Sequence, residues 1–244
     1  FALAVLTDGN LSHGYGAATL RGVAARLFAR PAGGPLAIRA TQAPAQPSLE
    51  PAGGPEHRRA GLVDVRRSAP SLVLDVRYAS RRNLTGRRLP GYCKPWALLT
   101  RRAAGDLAAV QRELRRRGLG LLVWDAYRPA RASLALVRWA QRTGRAGLVG
   151  TYIARRSRHN TGSAVDLTLA RLRDGRPLAM GTGYDHLGSR AHTRNTSGAP
   201  LRNRLILARV MGRHGFRGYA REWWHFEHAR RGRRYLDLPL GCAR

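Results

Sequence analysis

Hydrophobic and polar positions follow no steady period before about Ser68 and a clear one after it. Leu72 to Val76 reads as a strand, and so does Leu119 to Trp124, a nearly continuous apolar run. Between them, Ala97 to Arg117 reads as a helix. Its apolar positions Ala103, Leu107, Val110 and Leu114 recur at spacings of three and four, and Gly118 offers a stop. A second helix is predicted over Ala130 to Thr143, ending at Gly144, and a third over Asn203 to His214, ending at Gly215. Ala164 to Leu169 and Trp223 to Glu227 complete the strands. Strands and helices mix without a regular βαβ rhythm. The pattern predicts an α+β domain over residues 68–244, with a central, mostly antiparallel sheet flanked by helices.

Residues 1–67 differ. The segment Pro31 to Pro55 is rich in Pro, Ala and Gly, and Pro-Ala-Gly-Gly-Pro occurs at Pro31–Pro35 and again at Pro51–Pro55. Such composition buries too little apolar area to offset chain entropy, so a flexible tail or linker is expected over 1–67. Phe1 to Leu6 is a short apolar run without the full charged–apolar–cleavage order of a secretory signal. No apolar run reaches the ~18–20 residues of a membrane span.

The formal net charge is +30, from 44 basic and 14 acidic residues. That sum invites a nucleic-acid reading. Yet only Lys94 is a lysine, and the arginines are spread along nearly the whole chain rather than gathered in one stripe. A compositional preference for arginine accounts for this, and no specific nucleic-acid partner is expected, although polyanions will be attracted at low salt. Cys93 and Cys242 form no Cys-x-x-Cys pair, which argues against a cysteine metal or redox site. Two free thiols are the plainer reading; an exported protein would join them. The linker-like tail and the cysteine pair favour a periplasmic or other extracytoplasmic location over the cytoplasm.

Three short segments carry candidate chemistry. His159 and Asp166 stand seven apart, with Gly162 and small residues between them that permit a tight turn into a strand. Imidazole and carboxylate are zinc donors, and a catalytic zinc takes three protein ligands plus water. Taken alone, the pair also fits a surface loop with a capping Asp. Glu222 and His225 stand three apart around Trp223 and Trp224. In a regular strand they point to opposite faces unless the backbone bends or Glu222 lies on the preceding loop. Taken alone, this too fits a core tryptophan pair beside surface polar groups. Arg128, in Trp124-Asp125-Ala126-Tyr127-Arg128-Pro129, ends a buried strand, where it either faces a cleft as a fixed cation or pairs with Asp125.

Together these segments resemble one family. Tyr78-Ala79, Asn83-Leu84-Thr85-Gly86, Gly91-Tyr92, Asp125 to Pro129, Ser157-x-His159-x-x-Gly162-x-Ala164-x-Asp166-Leu167-Thr168, Met180-Gly181 with Asp185, and Glu222-Trp223-Trp224-His225 follow, in order, the pattern of the VanX-type D-alanyl-D-alanine dipeptidases. The resemblance covers about Val73 to Leu240. It implies a zinc D,D-peptidase-like (hedgehog-like) fold and one zinc ion held by His159, Asp166 and His225. It implies Glu222 as general base and acid, Arg128 as oxyanion stabiliser, Asp185 as partner of the substrate ammonium, and Ser157 and Tyr78 as further substrate contacts. The implied reaction is hydrolysis of the small dipeptide D-alanyl-D-alanine, in cell-wall precursor turnover or glycopeptide resistance. Leu84 stands where an aromatic is common, and the stretch from Arg128 to Ser157 is shorter than in some members. A zinc D,D-carboxypeptidase or endopeptidase acting on peptidoglycan shares the same ligands. A basic nucleic-acid-binding module is the remaining rival, and it has no need of a base such as Glu222. Oligomeric state is not written in the sequence.

Overall fold

A computed structural model describes residues 52–230, 232 and 234–242. Apart from four short 3₁₀ turns, twelve helices and strands follow in order among the described residues: α1 (Pro55–Arg59), β1 (Leu62–Asp64), α2 (Val65–Ser68), β2 (Val73–Leu74), β3 (Leu98–Thr100), α3 (Arg101–Arg115), β4 (Leu119–Asp125), α4 (Ala130–Arg142), β5 (Ala164–Arg171), α5 (Gly198–Arg213), β6 (Phe216–Tyr219) and β7 (Glu222–His228). The domain is a mixed α+β structure. Its five-stranded sheet runs β2-β4-β5-β7-β6; β2 pairs β4 in parallel and the other three pairings are antiparallel. A second sheet pairs β1 with β3 antiparallel.

The central strands β4 and β5 are buried along nearly their whole length, including polar positions such as Asp125, Asp166 and Thr168. Strands covered on both faces read as continuous apolar runs rather than alternation, which is why β4 is so plain in the sequence. Helix α3 buries Ala103, Ala104, Leu107, Ala108, Val110, Gln111 and Leu114, a stripe at three- and four-residue spacing. Its Gln111 also accepts from the Leu121 amide at 2.8 Å, tying the helix to β4.

Several boundaries move from the sequence reading. Residues 97–100 are not helical: Leu98–Thr100 forms β3, and Thr100 caps α3 by accepting from the Ala103 amide at 3.4 Å. Helix α5 starts at Gly198, earlier than Asn203, and β2 shrinks to Val73–Leu74. The expected tail over 1–67 needs correction at its C-terminal end. Residues 52–67 form α1, β1 and most of α2, with Ala52, His57, Leu62 and Val65 buried. Their Pro and Gly content served turns and a helix start rather than disorder. The remainder of that tail, residues 1–51, lies outside the described residues. Cys93 and Cys242 are joined in a disulfide, so the free-thiol reading is set aside. No helix among the described residues is long and apolar enough to cross a membrane.

Candidate metal centre and active site

The cleft is assembled from the mouth of the sheet. A single 3₁₀ turn, Arg158–Thr161, carries His159. Ser157 caps it, its Oγ accepting from the His159 amide at 3.2 Å, while its own amide donates to Asn160 Oδ1 at 2.8 Å. Gly162 closes the turn at φ 65°, and a Cβ there would lie 2.3 Å from Leu62 Cδ2. Glycine suits both the left-handed backbone and the close approach of the Leu62 side chain. The chain then enters β5, whose third residue is Asp166.

Cross-strand partners share a face of the sheet. Asp166 is the partner of Asp125 on β4 and of His225 on β7, so three functional positions stand side by side across three strands. Glu222 and His225 meet the bend their spacing requires. On β6 the register jumps from Gly218 opposite Phe226 to Tyr219 opposite Glu222. Trp223, Trp224 and His225 therefore have no partner on β6, and the irregular backbone lets Glu222 and His225 line one cleft.

Three donor atoms converge there. His225 Nδ1 lies 2.9 Å from Asp166 Oδ1, His159 Nε2 lies 3.1 Å from His225 Nδ1, and His159 Nε2 lies 3.3 Å from Asp166 Oδ1. Among the described residues this is the one group of at least three His, Cys, Asp or Glu side chains placed to share an ion. The far side of each ligand is also held. His159 Nδ1 donates to the Ala126 carbonyl at 2.6 Å, which fixes the proton on Nδ1 and leaves the Nε2 lone pair facing the cluster. His225 Nε2 faces Glu227 Oε1 at 3.5 Å, and Tyr184 donates to Asp166 Oδ2 at 2.9 Å.

The electrostatics show a site short of positive charge. Burial works to raise the Asp166 carboxyl, yet His159 and His225 hold it well below the usual carboxylate range. Burial alone would lower the His225 imidazole, but hydrogen bonds to Asp166 and Glu227 push it up to about 10. A bound cation is what such a cluster favours. Glu222, also lining the cleft, is raised by burial to about 7, and Asp185 is raised by burial and by Asp166 to about 8.

Arg128 faces the cluster from the end of β4. Asp125 grips its guanidinium at Nε (2.9 Å) and at a terminal nitrogen (2.8 Å), and that terminal nitrogen is 3.6 Å from Asp166 Oδ2. Both sequence readings of this arginine hold at once: it is paired with Asp125 and it lines the cleft. Its guanidinium carbon sits 4.8 Å over the ring of Tyr78, whose hydroxyl donates to Asp185 Oδ1 at 3.1 Å. Asp185 is the one non-glycine residue with positive φ (62°) among the described residues, and its Oδ2 is buried without a hydrogen-bond partner. A buried carboxyl oxygen without a partner, raised by burial and by Asp166, is a group that an approaching cation would ionise.

All eight residues picked from the sequence, His159, Asp166, His225, Glu222, Arg128, Asp185, Ser157 and Tyr78, line this single cleft of about 200 Å³. That volume is below the roughly 300–1,000 Å³ of pockets for larger ligands. Three supporting groups escaped the sequence reading in these roles. Glu227 lies two residues after His225, a strand period that could have flagged it. Tyr184 directly precedes Asp185, and its hydroxyl reaches Asp166 only through the fold. Asp125 was noted as a partner for Arg128, but its place beside Asp166 depends on strand register.

Known proteins carry the same pattern. The family described as D-ala-D-ala dipeptidase matches residues 58–239. A D-alanyl-D-alanine dipeptidase of Streptomyces coelicolor is 35% identical over 184 residues, covering 68% of this chain and 91% of that protein. One of Escherichia coli is 37% identical over 168 residues, covering 68% of this chain and 83% of that protein. One of Enterococcus faecalis is 34% identical over 169 residues, covering 63% and 84%. With a match across most of the folded domain and relatives above 30% identity over nearly their full length, this chain belongs to the D-ala-D-ala dipeptidase family of metallopeptidases.

Proposed function

We propose that this enzyme hydrolyses D-alanyl-D-alanine to D-alanine with one zinc ion held by His159 Nε2, Asp166 Oδ1 and His225 Nδ1. The observation that carries the reading is the convergence of those three atoms at 2.9–3.3 Å beside a buried Glu222. Their spacing fits zinc. A tetrahedral ion with ~2.0–2.2 Å bonds keeps its ligand atoms about 3.3–3.6 Å apart, close to the separations seen. Two imidazoles and one carboxylate leave a fourth position for water, as catalytic rather than structural zinc sites do. The fold that frames them is of the zinc D,D-peptidase (hedgehog-like) type.

Zinc, when bound, lowers the pKa of a water and polarises a carbonyl. The chain's own residues do the rest. Glu222 takes the proton of the attacking water and passes it to the leaving amine. Its partly dry surroundings, with buried Trp224 on the cleft wall, keep it basic enough for that exchange. Arg128, aimed by its two bonds to Asp125, faces the oxygen on which negative charge develops. Asp185 receives the substrate's ammonium at its free Oδ2, and Ser157 and Tyr78 help fix the dipeptide. A buried carboxylate at the end of a small cleft also favours a free dipeptide over a longer chain whose amino group is blocked, as a peptidoglycan carboxypeptidase or endopeptidase would require. The Cys93–Cys242 disulfide supports an extracytoplasmic location, where such bonds persist. Cell-wall precursor turnover or glycopeptide resistance is the process that this hydrolysis would serve.

The test is Glu222→Gln. Metal content stays at the wild-type level, since Glu222 is no ligand, while turnover of D-alanyl-D-alanine falls by about 10²–10⁴, the usual worth of a positioned general base. Unchanged turnover removes Glu222 from the mechanism.

A further inference from the structure

The proposed substrate is a zwitterion, and its ammonium accounts for only one of its two charges. Three arginines line the cleft: Arg128, Arg156 and Arg158. Two are neutralised within the protein. Arg128 is bound to Asp125 at 2.8 Å, and Arg158 Nε lies 3.1 Å from Glu227 Oε2. Arg156 has no carboxylate partner among the described residues. The side chain is exposed, and its guanidinium lies 4.3 Å over the ring of Tyr235, a stacking contact that does not consume its N–H donors.

The cleft has both polar and apolar walls, Leu84, Leu136, Ile153 and Leu187 among the latter. At one side is Asp185, with a buried oxygen lacking any partner. From it a chain of contacts runs through Tyr78 and Arg128 to Asp166, then to His159, which is capped by Ser157, the neighbour of Arg156. A carboxyl with a free oxygen, an arginine without a carboxylate partner and the candidate hydrolytic centre line one cleft, and together they complement a short peptide with both termini free.

We infer that Arg156 is the specificity-determining residue for the substrate's terminal carboxylate, binding it through its unpaired guanidinium while Asp185 holds the ammonium. This rests on the dipeptidase reading and adds to it a demand at the second residue: a free carboxylate rather than an amide or a continued chain. Arginine suits the task because its planar fork matches a carboxylate and it never loses its charge. Both charged ends then contribute to binding, and neither takes part in proton transfer.

The test compares D-Ala-D-Ala with its C-terminal amide on the zinc-loaded enzyme, wild type and Arg156→Gln. Arg156→Gln raises KM for the free dipeptide about tenfold, as loss of a partly exposed charge-assisted contact implies, with kcat within about twofold. KM for the amide does not move, so the preference for the free acid disappears, and Arg156→Lys recovers most of it. Calorimetric binding of both compounds to zinc-loaded Glu222→Gln, with and without Arg156→Gln, reads the same preference without turnover. Equal losses for acid and amide, or no loss for either, overturn the assignment. Wild-type enzyme that binds the acid better than the amide in an Arg156-dependent way but cleaves neither would instead sink the dipeptidase reading alone.

Discussion

Asp125→Asn tests the support of Arg128 while leaving all three metal ligands in place, although Asp125 Oδ2 also lies 3.5 Å from His159 Nδ1. Asp125 is fully buried and accepts from three groups: Arg128 Nε at 2.9 Å, an Arg128 terminal nitrogen at 2.8 Å, and the Tyr92 hydroxyl at 2.5 Å. Asparagine keeps the shape but removes the charge, and it presents N–H donors where at least one oxygen had accepted. Removing one partner of a buried ion pair costs about 3–5 kcal/mol. Asp166, 3.6 Å from the same guanidinium, compensates in part. A net loss of about 2–4 kcal/mol is therefore expected, read as a fall in the denaturant midpoint at unchanged slope. Arg128 then leans towards Asp166, away from its aim at the developing oxyanion, and kcat falls about 10²–10³, the worth of one such donor. Bound zinc, measured on the folded variant, stays above half of the wild-type amount because all three ligands remain. A variant that loses stability but keeps kcat within twofold would refute the idea that Asp125 aims a catalytic arginine.

Other expectations follow from the same geometry. Burial raises Glu222 to about 7 in the metal-free site, and a neighbouring cation lowers it. The base must be ionised to act, so kcat/KM falls as pH drops through an acid limb lying at or below pH 7; a limb well above 7 contradicts the assignment. Gly162→Ala places a Cβ 2.3 Å from Leu62 Cδ2 at positive φ, costing about 1–3 kcal/mol of stability and weakening zinc binding through the shifted His159 turn. An unaltered melting temperature would count against that turn as the source of His159's position. Reduction of Cys93–Cys242, whose residues lie 149 apart, lowers stability by about 2–5 kcal/mol, seen as a drop in Tm with reductant. Equal Tm with and without reductant would show that the bond is absent or contributes nothing.

Much of the site was legible through the ordered set of motifs that the chain shares with a known family, because spacing alone left each pair open to a plainer reading. His159, Gly162 and Asp166 lie on one turn and one strand, yet taken alone they also fitted a surface loop, and only the other motifs beside them pointed to a metal site. The fold supplied what spacing alone could not. Whether Glu222 and His225 share a cleft turned on the break opposite Gly218 and Tyr219, a feature of two strands together. Tyr184 reaches Asp166 across 18 residues, and no local period encodes that contact. The folded segment 52–67 was misread because Pro and Gly mark turns as readily as tails. There Asp64, which accepts from the Arg66 amide at 3.0 Å, was the local sign of a helix start. Residues 97–100 read as helix because their apolar run joins the α3 stripe without a break, although Thr100 is a natural cap.

The central claim is that His159, Asp166 and His225 hold one ion that the reaction needs. The direct measurement is metal content of the purified protein together with D-Ala-D-Ala hydrolysis before chelation, after it, and after zinc is returned. The account predicts about one zinc per chain, activity lost with the metal and restored with it, and neither binding nor restoration in His225→Ala. A protein that cleaves the dipeptide equally well when stripped of metal, or that stays folded and takes up none, contradicts it.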